Sequence, residues 1–204
     1  REHEFRKVSE VLLIAGSDAQ LGCPGNSDRI RESLSKADAA LNVIRGYRLS
    51  STVDEIFDVL NDSPNLIFYD GHGSREYMSE IPLGIPDIPL LRNRQFPLIF
   101  DIACRNANWT ESGAFPRNLA ESLLVAKNRG PAGILASGGG ADGHDFFRDI
   151  AEIMSSSRKK KTLDPRLNEV AFVILVAKIR NLYVERSFWN YYGDPASSVW
   201  GAMF

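Results

Sequence analysis

The chain is 204 residues long, 44% apolar and 25% charged, with a net charge of −2 and two cysteines. Such a composition fills the core of one layered domain and excludes wholesale disorder. The small net charge gives no electrostatic ground for nucleic acid or an anionic membrane as partner, no apolar run approaches the roughly 20 residues that span a bilayer, and two cysteines make no disulfide framework.

The chain opens Arg1-Glu2-His3-Glu4-Phe5, with no initiating Met and no signal-peptide pattern. It is read as one domain over residues 1–204, excised from a longer protein or left by processing, with its cellular address open. Val11 to Ala15 is a compact apolar run ending in Gly16-Ser17-Asp18, the pattern of a buried strand feeding a loop. Cys23 then stands in a Gly/Pro loop as a bystander. Ser27 or Asp28 caps a helix to about Ala40, with Ile30, Leu34 and Ala37 on one face. Leu41 to Ile44, with Tyr47, reads as a second strand. Ser51 or Thr52 opens a helix whose apolar stripe is Val53, Ile56, Phe57 and Leu60, broken at Pro64-Asn65. Leu66 to Tyr69 is a third strand, with Asp70-Gly71-His72-Gly73-Ser74 at its end.

Residues 75–95 hold Pro82, Pro86 and Pro89 and show no period, so a long surface excursion is expected. Pro97 to Ala103 is a fourth strand that delivers Cys104. A helix over Phe115 to Asn128 follows, then a fifth strand, Gly133 to Ala136, closed by Ser137-Gly138-Gly139-Gly140. Further helices are expected near Asp145 to Met154 and over Leu167 to Val184. The tract Ser155 to Lys161 between them reads as a solvated loop or an exposed processing site. The chain ends on the aromatic stretch Trp189 to Trp200. Strand–helix alternation of this kind predicts an α/β domain with a mostly parallel sheet covered on both faces.

Chemistry concentrates at two strand ends. His72 and Cys104 each follow a buried strand at its carboxyl end, the edge where open parallel sheets bind ligands. A free thiol is mostly protonated at neutral pH and its thiolate is the nucleophile. A histidine beside it takes that proton and later gives one to the leaving amine. Read separately, Gly-His-Gly and a buried Cys are each ordinary structural features. Their matching placement is what points to a cysteine-nucleophile hydrolase, with the amides of Gly73 and Cys104 as candidate oxyanion donors.

Three segments resemble the gingipain-type cysteine peptidases. Phe68 to Ser74 is similar to their aromatic-x-Gly-His-Gly-Ser segment, Asp101 to Asn106 to their Ala-Cys-x-Asn segment, and Tyr192-Gly193-Asp194-Pro195 to their Gly-Asp-Pro end. The caspase signature itself is not met, because Ile102 and Asn106 stand where it has Gln and Gly. The resemblance implies a caspase-like three-layer sandwich, with a six-stranded sheet in the order 2-1-3-4-5-6. It also implies a His72–Cys104 dyad, endopeptidase activity on protein or peptide substrates without a cofactor, and a regulatory domain or partner chain as a further interactor. Val11 to Asp18 also resembles the first strand of legumain-type peptidases, which implies that Asp18 orients His72; capping its own loop is the other role open to it. Asp70 is expected to point away from His72.

In this fold the substrate pocket is expected between the loop after the first strand, Ser17 to Asp28, and the segment Ser137 to Asp145. These supply Ser137, Gly138 and four carboxylates, Asp18, Asp28, Asp142 and Asp145, with no Lys or Arg, so cleavage after Arg or Lys is expected and Asp142 is the leading pocket acid. His144 beside Asp142 and Asp145 lacks a second His or Cys at ligand spacing, so a loop or a helix cap is expected there and no metal. Asn108-Trp109-Thr110 matches a glycosylation sequon. Competing readings are a cysteine amidotransferase or α/β-hydrolase, disfavoured by Ile102 and Asn106 at the glycine positions of a nucleophile elbow, a latent caspase-like module, and a non-enzymatic binding domain.

Overall fold

A computed structural model describes residues 10–17, 22–48, 51–62, 64–81, 83–93, 97–108, 118–127, 129–139, 144–159, 173–174, 176–177 and 189–193. The main sheet is built from β1 (Glu10–Ala15), β2 (Asn42–Tyr47), β3 (Leu66–Asp70), β6 (Leu98–Ile102), β7 (Gly133–Ser137) and β8 (Trp189–Gly193). The missing numbers, β4 (Tyr77–Met78) and β5 (Leu83–Gly84), form a small antiparallel ribbon between β3 and β6. The sheet order is β2-β1-β3-β6-β7-β8, which is the expected order once the ribbon is set aside. All neighbours are parallel except β7 and β8.

Each face of the sheet is covered because the central strands are apolar on both. On one face, Val11, Leu13, Phe68, Phe100 and Ile102 pack under α1 (Cys23–Ala37) and α4 (His144–Lys159), which contributes Phe146, Phe147 and Ile150. Phe68 and Phe100 stack there at 4.9 Å between ring centroids, side by side on β3 and β6. On the other face, Leu12, Ile14, Ile67, Tyr69 and Ile99 pack under α2 (Val53–Asn61) and α3 (Leu119–Leu124), together with Met78, Ile81 and Leu83 of the ribbon segment. Each fully buried Leu, Ile or Phe contributes ~1.5–3 kcal/mol through the hydrophobic effect, so the two layers carry most of the stability.

Local chemistry explains the helix ends. Thr52 caps α2 in a full capping box: its Oγ1 accepts from Glu55 N–H at 3.2 Å, and the Glu55 carboxylate accepts from Thr52 N–H at 2.7 Å. Those bonds hold the Glu55 carboxyl below its ordinary pKa. The first helix departs from expectation: it begins at Cys23, not at Ser27 or Asp28. Gly22, at φ 66°, turns the chain in the left-handed region and Pro24 occupies the first turn, where a missing N–H costs nothing. Cys23 is therefore no loop bystander but a fully buried helical residue.

Two other expectations need correcting. The segment after residue 75 is no featureless surface excursion. It folds into the ribbon and a 3₁₀ turn, Ile85–Leu90, and buries Met78, Ile81, Leu83, Ile88 and Leu91. Residues 155–159 continue α4 rather than forming a loop, and Ser155 Oγ donates to Ser33 O at 2.8 Å, tying α4 to α1. Residues 160 and 161 of that tract, and most of the helix expected over Leu167 to Val184, lie outside the described residues, although 173–174 and 176–177 are helical. Among the described residues no helix is long and apolar enough to cross a membrane.

Candidate active site

The pairing of β3 with β6 decides the geometry. Leu66 lies opposite Leu98, and the register runs in step to Asp70 opposite Ile102. Beyond that last pair both chains leave their strands, and His72 and Cys104 each stand two residues past a strand end, in the turns at the same edge of the sheet. His72 is exposed and Cys104 is half-buried and in no disulfide among the described residues, so both reach the carboxyl edge of the sheet.

The two turns touch. Gly73 lies so close to the Cys104 turn that a Cβ there would sit 2.6 Å from Ala103 Cβ and 2.7 Å from Asn106 Oδ1. Only glycine permits that approach. Hydrogen bonds fix the His72 turn from behind: its carbonyl accepts from Tyr69 Oη–H at 2.6 Å and from Ser79 N–H at 2.9 Å. Tyr69 Oη also accepts from Glu80 N–H at 3.1 Å, and burial pushes the phenol's pKa up, so it stays a neutral donor. Glu80 lies against Gly16 and Gly71, where an added Cβ would meet its side chain at 2.9 Å and 2.6 Å.

The Cys104 turn is held from two sides. Arg105 takes φ 65°, a left-handed conformation that a long side chain rarely adopts. Its N–H donates to Gly139 O at 2.9 Å, and Ala107 N–H donates to Ser137 O at 2.9 Å, so the turn leans on the loop after β7. Below it, Asn106 Nδ2 donates to Asp101 Oδ2 at 2.7 Å. Asp101 is fully buried, and desolvation raises its pKa from 3.8 to about 7 against the pull of Asn106 and of the Ala103 backbone.

The structure sorts the remaining expected residues. Ser137 is buried, and its Oγ closes its own turn with Gly139, accepting from Gly139 N–H at 3.1 Å and donating to Gly139 O at 3.2 Å. Gly138 is half-exposed beside it. Asp18 and Asp142 lie outside the described residues. Asp28 and Asp145, grouped with the pocket loops in the sequence, sit on helices with local partners: Asp28 Oδ1 accepts from Tyr47 Oη–H at 3.1 Å, and Asp145 pairs with Arg148 at 2.8 Å.

Asp70 and His144 form a pair that the sequence did not disclose. Asp70 shares the Phe68 face of β3 and is 1% exposed, and His144 opens α4 with Nδ1 3.3 Å from Asp70 Oδ2. That separation suits an ion pair with a protonated imidazole but lacks hydrogen-bond alignment, and neither Asp70 oxygen has a hydrogen bond among the described residues. Gly139 thus rests on the Cys104 turn and His144 lies against Asp70. Period-two counting from Phe68 was the signal that would have placed Asp70 on this face. Among the described residues no group of three or more His, Cys, Asp or Glu side chains could hold a metal.

Comparison with known proteins gives this edge its context. Peptidase family C25 matches residues 4–200. The chain belongs to that family. Over 165 residues it is 26% identical to Gingipain R2 of Porphyromonas gingivalis, covering 77% of this chain and 22% of that protein. It is 24% identical to Gingipain R2 of strain W83 over 209 residues, covering 96% of this chain and 28% of the relative. The chain therefore spans only about a quarter of the length of these curated relatives. Among solved structures, the complex of the P. gingivalis RgpB pro- and mature domains superposes with a TM-score of 0.78 at 22% identity, over 93% of this chain and 48% of that one. The Arg specific cysteine proteinase gingipain R gives a TM-score of 0.76 at 23% identity, over 94% and 47%. A secreted C11 cysteine protease from Bacteroides thetaiotaomicron gives 0.51 at 11% identity, over 89% and 63%. The C25 chain thus has the caspase-like α/β sandwich these structures share.

Proposed function

We propose that the chain is the catalytic unit of a cysteine endopeptidase that works through Cys104 and His72. The observation that supports this reading is that β3 and β6 pair in parallel up to Asp70 opposite Ile102, two residues before His72 and Cys104, and that the following turns touch where Gly73 meets Ala103 and Asn106. In the proposed reaction the Cys104 thiol gives its proton to His72, and the thiolate attacks the scissile carbonyl carbon. The amides of Gly73 and Cys104 receive the oxyanion, the amine leaves with the proton from His72, and a thioester remains on Cys104. Water, deprotonated by His72, then cleaves the thioester and returns the thiol. Asp18 is proposed to orient His72.

Cleavage after Arg or Lys is the specificity we propose. Supporting it is Asp70, a buried carboxylate at the end of β3 that lies 3.3 Å from His144 Nδ1 and accepts no hydrogen bond among the described residues. A substrate cation reaching past Ser137 and Gly138 would meet it, with Asp142 as a second acid in the wall. Cys104→Ala should abolish peptide cleavage in a protein with unchanged far-UV circular dichroism, and substantial residual cleavage by the pure variant refutes the dyad. A peptide-library profile tests the specificity; preference for Asp, Asn or a large apolar residue overturns the basic pocket.

A second reading is a latent caspase-like unit that needs a further domain or partner to order its cleft; one gingipain structure with this fold is a complex of pro- and mature domains. Labelling with an Arg chloromethyl ketone separates the two: a latent unit labels poorly alone.

A further inference from the structure

Resting on the peptidase reading above, we propose that Asp101 and Asn106 act as a buried positioning pair: their hydrogen bond fixes the Cys104 turn against the His72–Gly73 turn, although neither side chain is assigned contact with substrate. Three observations converge on Asn106. Its amide donates to Asp101 Oδ2 at 2.7 Å, anchoring the turn to β6 below Cys104. Its Oδ1 sits 2.7 Å from where a Gly73 Cβ would lie, so the same amide is the surface on which the oxyanion turn rests. Its main-chain carbonyl accepts from Ala120 N–H at 3.2 Å, which links the turn to α3. One fully buried residue, through its side chain and its main chain together, thus references nucleophile, oxyanion donor and scaffold to each other.

The pair is poorly suited to stability alone. A carboxyl group has been taken fully out of water without a cation, and both Asp101 Oδ1 and Asn106 Oδ1 lack a hydrogen bond among the described residues. Buried acceptors without donors are rare in native interiors and destabilise them. Between them the chain passes through Arg105 at φ 65°, itself a strained position. Strain and unsatisfied polar atoms that cluster beside a reactive group mark a site shaped for alignment, which apolar packing of the same volume would not provide. Alignment has leverage on rate, because a displacement of about 1 Å at a reacting centre costs on the order of 10²-fold.

The test uses steady-state kinetics on an Arg or Lys peptide, with circular dichroism and thermal melting for each variant. Asn106→Ala is expected to lower kcat by ~10²-fold with KM changed less than about threefold. The exchanged protein, Asp101→Asn with Asn106→Asp, keeps volume and one donor–acceptor bond; it is expected to recover kcat to within about tenfold of wild type. That rescue is what a positioning bond predicts and a bulk packing effect does not. A folded Asn106→Ala protein with kcat within threefold of wild type overturns the proposal. So does a folded exchange variant no more active than Asn106→Ala; should Asn106→Ala fail to fold, a folded exchange variant below 1% of wild-type kcat does the same. Wild-type chain that neither cleaves peptide nor labels at Cys104 overturns the peptidase reading and this one with it, whereas active wild type with indifferent variants overturns this one alone.

Discussion

Asp101→Asn should make the protein more stable as the pH rises, relative to wild type. The folded-state pKa of Asp101 stands at about 7 against an ordinary 3.8, because desolvation outweighs its two hydrogen bonds. Its folded pKa lies above the unfolded one, so the native state holds a proton that the unfolded chain releases. Stability from this group is complete below pH ~4, falls as pH rises toward 7, and is flat above. Each pH unit in that window costs about 1.4 kcal/mol, and the whole shift sets a ceiling of about 4 kcal/mol for this fully buried group. Asparagine does not titrate and can still accept from Asn106, but its own amide N–H₂ replaces an oxygen that has no partner, at a cost of ~1–3 kcal/mol. The pH-independent part of the comparison is therefore mixed in sign, and the pH dependence is the clean quantity. Urea unfolding of both proteins at pH 5, 6, 7 and 8 should show the variant gaining about 3 kcal/mol on wild type between pH 5 and pH 8. A difference constant across that range would mean that Asp101 does not keep a raised pKa, and the desolvation reasoning would fail.

Gly73→Ala should cost ~1–3 kcal/mol of stability and lower kcat/KM by more than that loss explains, because the new methyl must push Ala103 and Asn106 aside; unchanged kinetics would show that the two turns are not in contact. Asp70→Asn should reduce cleavage after Arg or Lys by roughly tenfold to a hundredfold while sparing apolar substrates, and the same measurement on Asp142→Ala tells the two acids apart; equal loss on all peptides would assign Asp70 to structure. Thr52→Ala should destabilise the fold by ~1 kcal/mol in urea at pH 7. Because the capping bonds hold Glu55 below its ordinary pKa, that box is intact above the usual carboxylate range and weakens as pH falls through the lowered value, so a cost that did not shrink in acid would contradict its role.

Most of the sheet was legible because its strands are buried on both faces and appear as short unbroken apolar runs, Leu12-Leu13-Ile14 and Leu98-Ile99-Phe100 among them. That His72 and Cys104 stand the same distance past two such runs was equally plain, because both runs end where the β3–β6 pairing ends. Helix α1 started early because Cys23-Pro24-Gly25 looks like loop punctuation, whereas proline in a first turn is also a start signal. The ribbon after His72 was hidden by its brevity: two-residue strands have no period to detect. The buried polar pairs were illegible for a different reason. Asp101 and Asn106 meet only because the chain reverses through a left-handed Arg105, and Asp70 meets His144 only through packing of α4 on the sheet. No spacing rule in a single sequence encodes either.

The antiparallel strand β8 has a consequence for any shortened version of this chain. It is the last described element and pairs with β7 from Gly133 opposite Gly193 to Ser137 opposite Trp189. A protein ending before Trp189 would leave the hydrogen-bonding edge of β7 without this partner, on a strand whose sequence, Gly-Ile-Leu-Ala-Ser, carries neither charge nor proline. Bare edges of that composition recruit strands from other molecules. Such a truncation would expose the sticky margin immediately beside the loop that supports the Cys104 turn, so self-association and loosening of that turn would arrive together.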